Sequence, residues 1–165
     1  MKAKADPLDY RIRRMRVEDV EVVHRIDMQS FSLPWPENAF RYEVTENANA
    51  RLWVAEVPAL TGKQVIGMIC IWLVLDEAHI ATIAVDPDYR RKGIGEGLLL
   101  HGLRQTRQEG AVLAYLEVRR SNVAAQKMYK KYGFEVAGMR THYYADNQED
   151  AILMTLGSLG TIVET

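Results

Sequence analysis

This chain predicts an α/β fold on a mixed sheet, and three observations carry that reading. Strand-like and helix-like segments alternate along it, as they do where helices cover a sheet. Ile80 to Val85 reads as a strand that turns through Asp86-Pro87 and a basic, glycine-bearing loop into a helix, Gly97 to Glu109. Val112 to Val118 reads as a second buried strand, and beyond it Ala125, Met128, Tyr129 and Tyr132 fall on one helical face.

In chain order, Met1 to Asp9 is charged with little periodicity and is expected to be a flexible tail. Tyr10 to Arg14 reads as a first strand. Val20, Val23 and Ile26 give Asp19 to Ser30 a helical pattern, which Pro34-Trp35-Pro36 ends. A short second helix fits Pro36 to Glu46. Arg51 to Val57 is a strand, and Pro58 to Lys63 a turn rich in breakers. Gln64 to Leu75 and Glu77 to Val85 form a hairpin pair across a tight acidic turn. The helix that starts at Asn122 stops at Gly133, a natural C-terminal cap. Two last strands, near Phe134 to His142 and Ala151 to Leu156, flank the loop Tyr143 to Asp150. Gly157 to Thr165 is expected to fray, which leaves one folded domain over 10–156.

At 165 residues the chain can close one substantial core, and 48% hydrophobic with 26% charged residues is ordinary for a globular domain. The longest apolar run, Val65 to Leu75, is too short for a bilayer span of about 20 residues and reads as a buried strand. The N-terminus shows no signal-peptide core, so a cytoplasmic location is expected, without a membrane partner. Cys70 is the only cysteine, and the four histidines show no ligand spacing, so no metal is expected. His142 lies nearest the loop at Tyr143, yet no histidine is assigned a role. A net charge of −1 argues against a nucleic-acid partner.

Positive charge is nonetheless clustered, at Arg90, Arg91 and Lys92, at Arg119 and Arg120, and at Lys127, Lys130 and Lys131. The first cluster continues as Gly93-Ile94-Gly95. A strand that turns through such a loop into a helix presents free N–H groups and the positive end of the helix dipole, a natural seat for phosphate. Two better-known phosphate loops do not fit. Gly95 precedes Glu96 where a P-loop needs lysine, and Leu98 stands where the dinucleotide fingerprint needs its third glycine. The loop suits the diphosphate of a single ligand, with most of the basic residues gathered round it and Lys130 and Lys131 left as solvated surface.

In this order the segments resemble the GNAT superfamily of acyl-CoA N-acyltransferases, whose acetyl-CoA motif has the form R/Q-x-x-G-x-G/A. Within it the likeness is to ribosomal-protein alanine N-acetyltransferases. It is carried by Phe31-Ser32-Leu33-Pro34-Trp35, Val74 to Ala78, Ile83 to Tyr89, Leu116-Glu117-Val118-Arg119, Ser121-Asn122, Tyr143-Tyr144 and Glu149-Asp150-Ala151. The resemblance implies a mostly antiparallel mixed sheet with two central strands splayed apart. It implies acetyl-CoA as cosubstrate and a protein N-terminus, possible in a ribosomal protein, as acceptor. Pantetheine would pair along Ile83, Ala84 and Val85, whose side chains equally suit an ordinary core strand. Arg90, Arg91, Lys92, Gly93, Ile94, Gly95 and Glu96 would hold the diphosphate, and Asn122 would touch the coenzyme as well as cap its helix.

The same resemblance makes Glu117 the general base and Tyr129 the acid for the departing thiolate. Glu117 also stands at the C-terminal end of an apolar strand, where α/β sites form. The competing readings are an ion pair between Glu117 and Arg119 or another cation, and a core position for Tyr129. Leu33, Trp35, Tyr143 and Tyr144 match the loops that flank the acceptor amine, although Trp35 could simply pack between two helices. An α-amine, with a pKa of about 7.7–8.0, costs about 3.4 kcal/mol less to neutralise than a lysine of about 10.4, so one carboxylate suits a protein terminus. The rival functions are a broader N-terminal acetyltransferase, a small-molecule amine acetyltransferase, and a non-catalytic acyl-CoA sensor that would need neither Glu117 nor Tyr129.

Overall fold

The long apolar run becomes a central strand buried on both faces, and the rest of the molecule is arranged around it. A computed structural model describes residues 7–162. Its strands are β1 (Arg11–Arg14), β2 (Ala50–Pro58), β3 (Lys63–Val74), β4 (Glu77–Val85), β5 (Leu113–Arg119), β6 (Glu135–Arg140) and β7 (Ala151–Leu156). The helices are α1 (Val20–Ser30), α2 (Glu37–Thr45), α3 (Ile94–Gln108) and α4 (Val123–Lys131). The seven strands form one sheet in the order β1-β2-β3-β4-β5-β7-β6.

Alternate residues of β3 feed two cores. Ile69 and Ile71 pack with Leu98, Leu99 and Leu103 of α3, while Met68 and Cys70 pack with Val23 and Ile26 of α1 and Phe40 of α2. Cys70 is fully buried, as its place in an apolar run implies. Gly102 lets α3 cross the sheet closely, since a Cβ there would lie 2.7 Å from Ile71 Cδ1 and force that side chain to shift.

Every strand pairing is antiparallel except that of β4 with β5. That parallel contact covers only Glu77 to His79 against Leu113 to Tyr115. Beyond it β4 runs on to Val85 and β5 to Arg119 without pairing, so the sheet opens into a wedge. The splayed, mostly antiparallel sheet expected from the resemblance is present.

Three expectations need correction. The donor helix begins at Ile94, not Gly97, because Gly93 at φ +82° supplies the left-handed entry that lets the chain turn earlier. The C-terminal stretch does not fray as far as it is described. A 3-10 turn at Leu159–Thr161 buries Leu159 and Ile162 in the α3-side core, since their apolar side chains gain more by burial than by fraying. Leu8 of the expected N-terminal tail packs against that core too, while residues 1–6 lie outside the described range. Among the described residues no helix is long and apolar enough to cross a membrane.

Candidate active site

The wedge between β4 and β5 places the end of β4, the start of α3 and the odd-numbered face of β5 around one cleft. Asp86 caps a 3-10 turn at Pro87–Tyr89 by accepting from the Asp88 N–H at 2.9 Å, and the chain then enters the basic loop. Arg91 at φ +61° and Gly93 at φ +82° curl that loop back onto α3. The first helical bond runs from Gly97 N–H to Gly93 O at 3.0 Å, so the amides of Ile94, Gly95 and Glu96 lie ahead of the intrahelical ladder. Those amides face the positive end of a helix that spans Ile94–Gln108.

Two glycines here are explained differently. A Cβ on Gly97 would collide with the Tyr10 hydroxyl, so packing excludes a side chain. A Cβ on Gly95 would meet only Val85 Cγ2 at 3.7 Å and Met128 Sδ at 3.8 Å, ordinary contacts. The folded chain does not require glycine at 95, which leaves the backbone there open to close approach by a ligand. The open edge of β4, the free amides and this bare position fit acetyl-CoA.

The basic side chains divide their labour more than the sequence suggests. Arg90 Nε donates to Val85 O at 3.0 Å and its Nη2 to Ser30 Oγ at 3.0 Å, so it braces the end of β4 against α1. Arg91 and Lys92 are exposed on the loop. Glu96 turns away from the loop: it accepts from Tyr132 Oη at 2.6 Å and Lys131 Nζ at 3.0 Å, which clips α3 to α4. These bonds, the Tyr132 one first, hold the Glu96 carboxyl below its usual range. Lys131 is thus paired, not simply solvated surface. Asn122 caps α4 by accepting from Ala125 N–H at 3.2 Å.

On β5, Tyr115, Glu117 and Arg119 alternate with buried Ala114, Leu116 and Val118 and so share the face opposite α3. Glu117 does not pair with Arg119. Its Oε2 lies 2.7 Å from His79 Nε2, and its Oε1 lies 3.7 Å from Arg140 Nη2. An ionised carboxylate only accepts, so the imidazole is the donor in that bond. His79 is held in turn by stacking on Tyr115 at 4.4 Å and by an edge contact with Trp72 at 5.3 Å. Sequence reasoning passed over His79. The one available signal was its register, since it stands in the last β4 position paired with β5.

Tyr129 is buried beside Phe134, at 5.6 Å between rings. Burial, with Tyr144 nearby, raises its phenol far above the ordinary value, so it stays protonated. It serves the core whatever else it does.

The acceptor-side residues also separate. Trp35 does not sit simply between helices: its ring stacks on Trp72 of β3 at 5.9 Å and meets Phe40 of α2 at 5.2 Å. Its backbone N–H donates to Asp27 Oδ2 at 2.7 Å. Asp27 is wholly buried with its other oxygen unpartnered, and burial lifts its carboxyl to about 6 against the lowering effect of that N–H. Leu33 (48% exposed) and Tyr143 (49%) remain free to meet a ligand. Tyr144 is half covered, with the Arg119 guanidinium 3.9 Å above its ring. Arg119 and Arg120 are engaged on this side: Arg119 pairs with Asp146 at 3.0 Å and Arg120 with Asp150 at 3.7 Å. No group of three or more metal-ligating side chains comes together among the described residues.

A wedge-opened mixed sheet with an anion-binding helix start beside a carboxylate defines an N-acyltransferase. The chain belongs to the Acetyltransferase (GNAT) family, which matches residues 20–134. It is 34% identical over 156 residues to the [ribosomal protein bS18]-alanine N-acetyltransferase of Escherichia coli (strain K12), covering 88% of this chain and 95% of that one. An N-alpha-acetyltransferase of Sulfurisphaera tokodaii is 36% identical over 162 residues, with 88% and 92% covered. The crystal structure of the ribosomal-protein-S18-alanine N-acetyltransferase from Escherichia coli superimposes with a TM-score of 0.79 at 32% identity, over 90% of this chain and 93% of that one. The protein is an acetyl-CoA-dependent N-acetyltransferase.

Proposed function

We propose that this enzyme acetylates the N-terminal amine of a protein, with the N-terminal alanine of ribosomal protein bS18 as the leading acceptor. The observation that carries the reading is Glu117 at the wedge, oriented by His79 at 2.7 Å and flanked by aromatic loops. The relatives named for bS18-alanine acetylation add the acceptor. A broader N-terminal range is the second reading, favoured by the likeness to the Sulfurisphaera enzyme.

The start of α3 binds the diphosphate through the amides of Ile94, Gly95 and Glu96, with Arg91 and Lys92 adding charge. The open edge of β4 at Ile83, Ala84 and Val85 takes pantetheine as an added strand, and an N–H there polarises the thioester carbonyl. Glu117 removes the proton from the incoming ammonium, directly or through one water. The neutral amine attacks the carbonyl carbon, the nitrogen sheds its surplus proton to water, and the C–S bond breaks as the amide forms. Tyr129, kept neutral by burial, donates its proton to the departing thiolate, which is desolvated in the same place, and regains one from water after the products leave. Asn122 contributes from the start of α4, and Leu33, Trp35, Tyr143 and Tyr144 wall the acceptor. The catalytic unit spans 8–162, since Leu8 packs on its core and Leu159 and Ile162 complete it.

The test is a panel of peptides that differ only in their first residue, with an internal-lysine control, read by mass spectrometry. Ala-initiated peptides are expected to react on the α-amine alone. Equal use of Met- and Ser-initiated peptides would favour the broader reading, and reaction only at lysine would overturn both.

A further inference from the structure

Arg119 ends β5, and its guanidinium ties together two loops that are far apart in sequence. Nη2 donates to Asp146 Oδ2 at 3.0 Å and to Ser32 Oγ at 3.2 Å. Nη1 donates to Asn147 Oδ1 and Glu149 Oε1, each at 3.3 Å. The group sits over the Tyr144 ring at 3.9 Å, and Ser32 Oγ itself donates to Asp146 across 114 residues of chain. Glu149 also accepts from the Ser121 N–H at 2.7 Å, which ties the same loop to the turn before α4. Only a planar fork of five donors can satisfy both loops and stack at once; an ammonium is a point charge. Without it, Asp146 and Glu149 lose the cation that they share.

We propose that Arg119 is the positioning residue of the acceptor slot. It fixes the spacing between loops 31–36 and 143–150 and so favours a chain terminus over a lysine side chain. The proposal rests on the reading of a protein N-terminus as acceptor. Held together at Ser32 and Asp146, the loops admit a terminus whose amine is one bond from the main chain. A lysine must instead deliver its amine at the end of a four-carbon stem, with its main chain running past on both sides.

The test uses the full chain with Arg119→Lys, Arg119→Ala and Ser32→Ala, an Ala-initiated peptide and an internal-lysine peptide. In Arg119→Ala the KM for the Ala-initiated peptide should rise roughly tenfold while kcat falls less than about threefold. Acetyl-CoA affinity by calorimetry should stay within about twofold, and the α-amine to lysine ratio should drop by roughly tenfold. Arg119→Lys should fail to restore either, and Ser32→Ala should shift both in the same direction by less. Hydrogen exchange without substrate should quicken in 31–36 and 143–150 together. Unchanged KM and selectivity in an enzyme that does acetylate peptide termini would overturn the proposal. So would faster exchange confined to 143–150, a result readable even if the natural acceptor is not a protein terminus.

Discussion

The donor and acceptor sides of the cleft are built from different materials. On the proposed reading the donor side is mainly one stretch, from Ile80 in β4 to Glu96 in α3, and it offers backbone: a free strand edge, a left-handed Gly93 and unspent helix amides. The acceptor side is assembled from α1, the loop after it, β4, β5 and the β6–β7 loop, and it works through side chains. His79 meets Glu117 across 38 residues, and Ser32 meets Asp146 across 114. Backbone devices tolerate many side chains nearby, whereas a side-chain network depends on each member. Substitutions should therefore act on the two sides in different ways.

The largest expected effect is on the acceptor side. On the proposed mechanism Glu117→Gln keeps the shape but loses the base, so turnover at neutral pH should fall by about 10²–10⁴-fold. Acetyl-CoA binding, measured by calorimetry, should not change. Loss of binding in parallel would erase the division between the two sides. Gly95→Ala is the complementary probe. Without a clash, an alanine in the first turn of α3 should leave thermal stability unchanged or raise it by up to about 1 kcal/mol. Acetyl-CoA affinity should drop roughly tenfold, since the methyl sits where a phosphate must approach. A destabilised variant with normal affinity would show that Gly95 serves the fold.

A third effect separates the sides by charge. Asp27 holds the acceptor loop through Trp35, and its carboxyl is raised to about 6 by burial. A raised carboxyl favours the protonated fold, so its contribution is full below an unfolded pKa of about 4 and is lost as pH climbs through 6. The stability of Asp27→Asn minus that of the parent should therefore grow by roughly 2–3 kcal/mol between pH 4 and 7. A constant offset from the buried amide N–H groups does not alter that slope. Asp19, Glu56 and Glu96 move oppositely in both proteins, since their partners lower them, and so cancel in the difference. A flat difference curve in chemical denaturation would mean that Asp27 does not titrate with folding.

Legibility followed the same division. The Arg90 to Gly95 loop, the β3–β4 hairpin and the Asn122 cap are local, and each showed in residue types a few positions apart. Glu117 and Tyr129 were found through family likeness, and the structure adds that one sits in the wedge and the other in the core. Arg90 looked like a phosphate ligand because its chain neighbours are basic, yet Val85 and Ser30 take its guanidinium. His79 carried no motif, and Arg119 looked like one more cation beside the coenzyme.

By itself the sequence determined the alternation of strands and helices, the burial of β3, and the basic, glycine-bearing loop ahead of α3. Hydrophobic period, glycine conformation and capping act within a few residues and need no distant partner. Tertiary structure alone decided which way the charged side chains turn, where the sheet opens, and that Leu159 and Ile162 close the core. Those outcomes are contacts between segments distant in the chain, made only when strand pairing brings β4, β5 and the acceptor loops to one place.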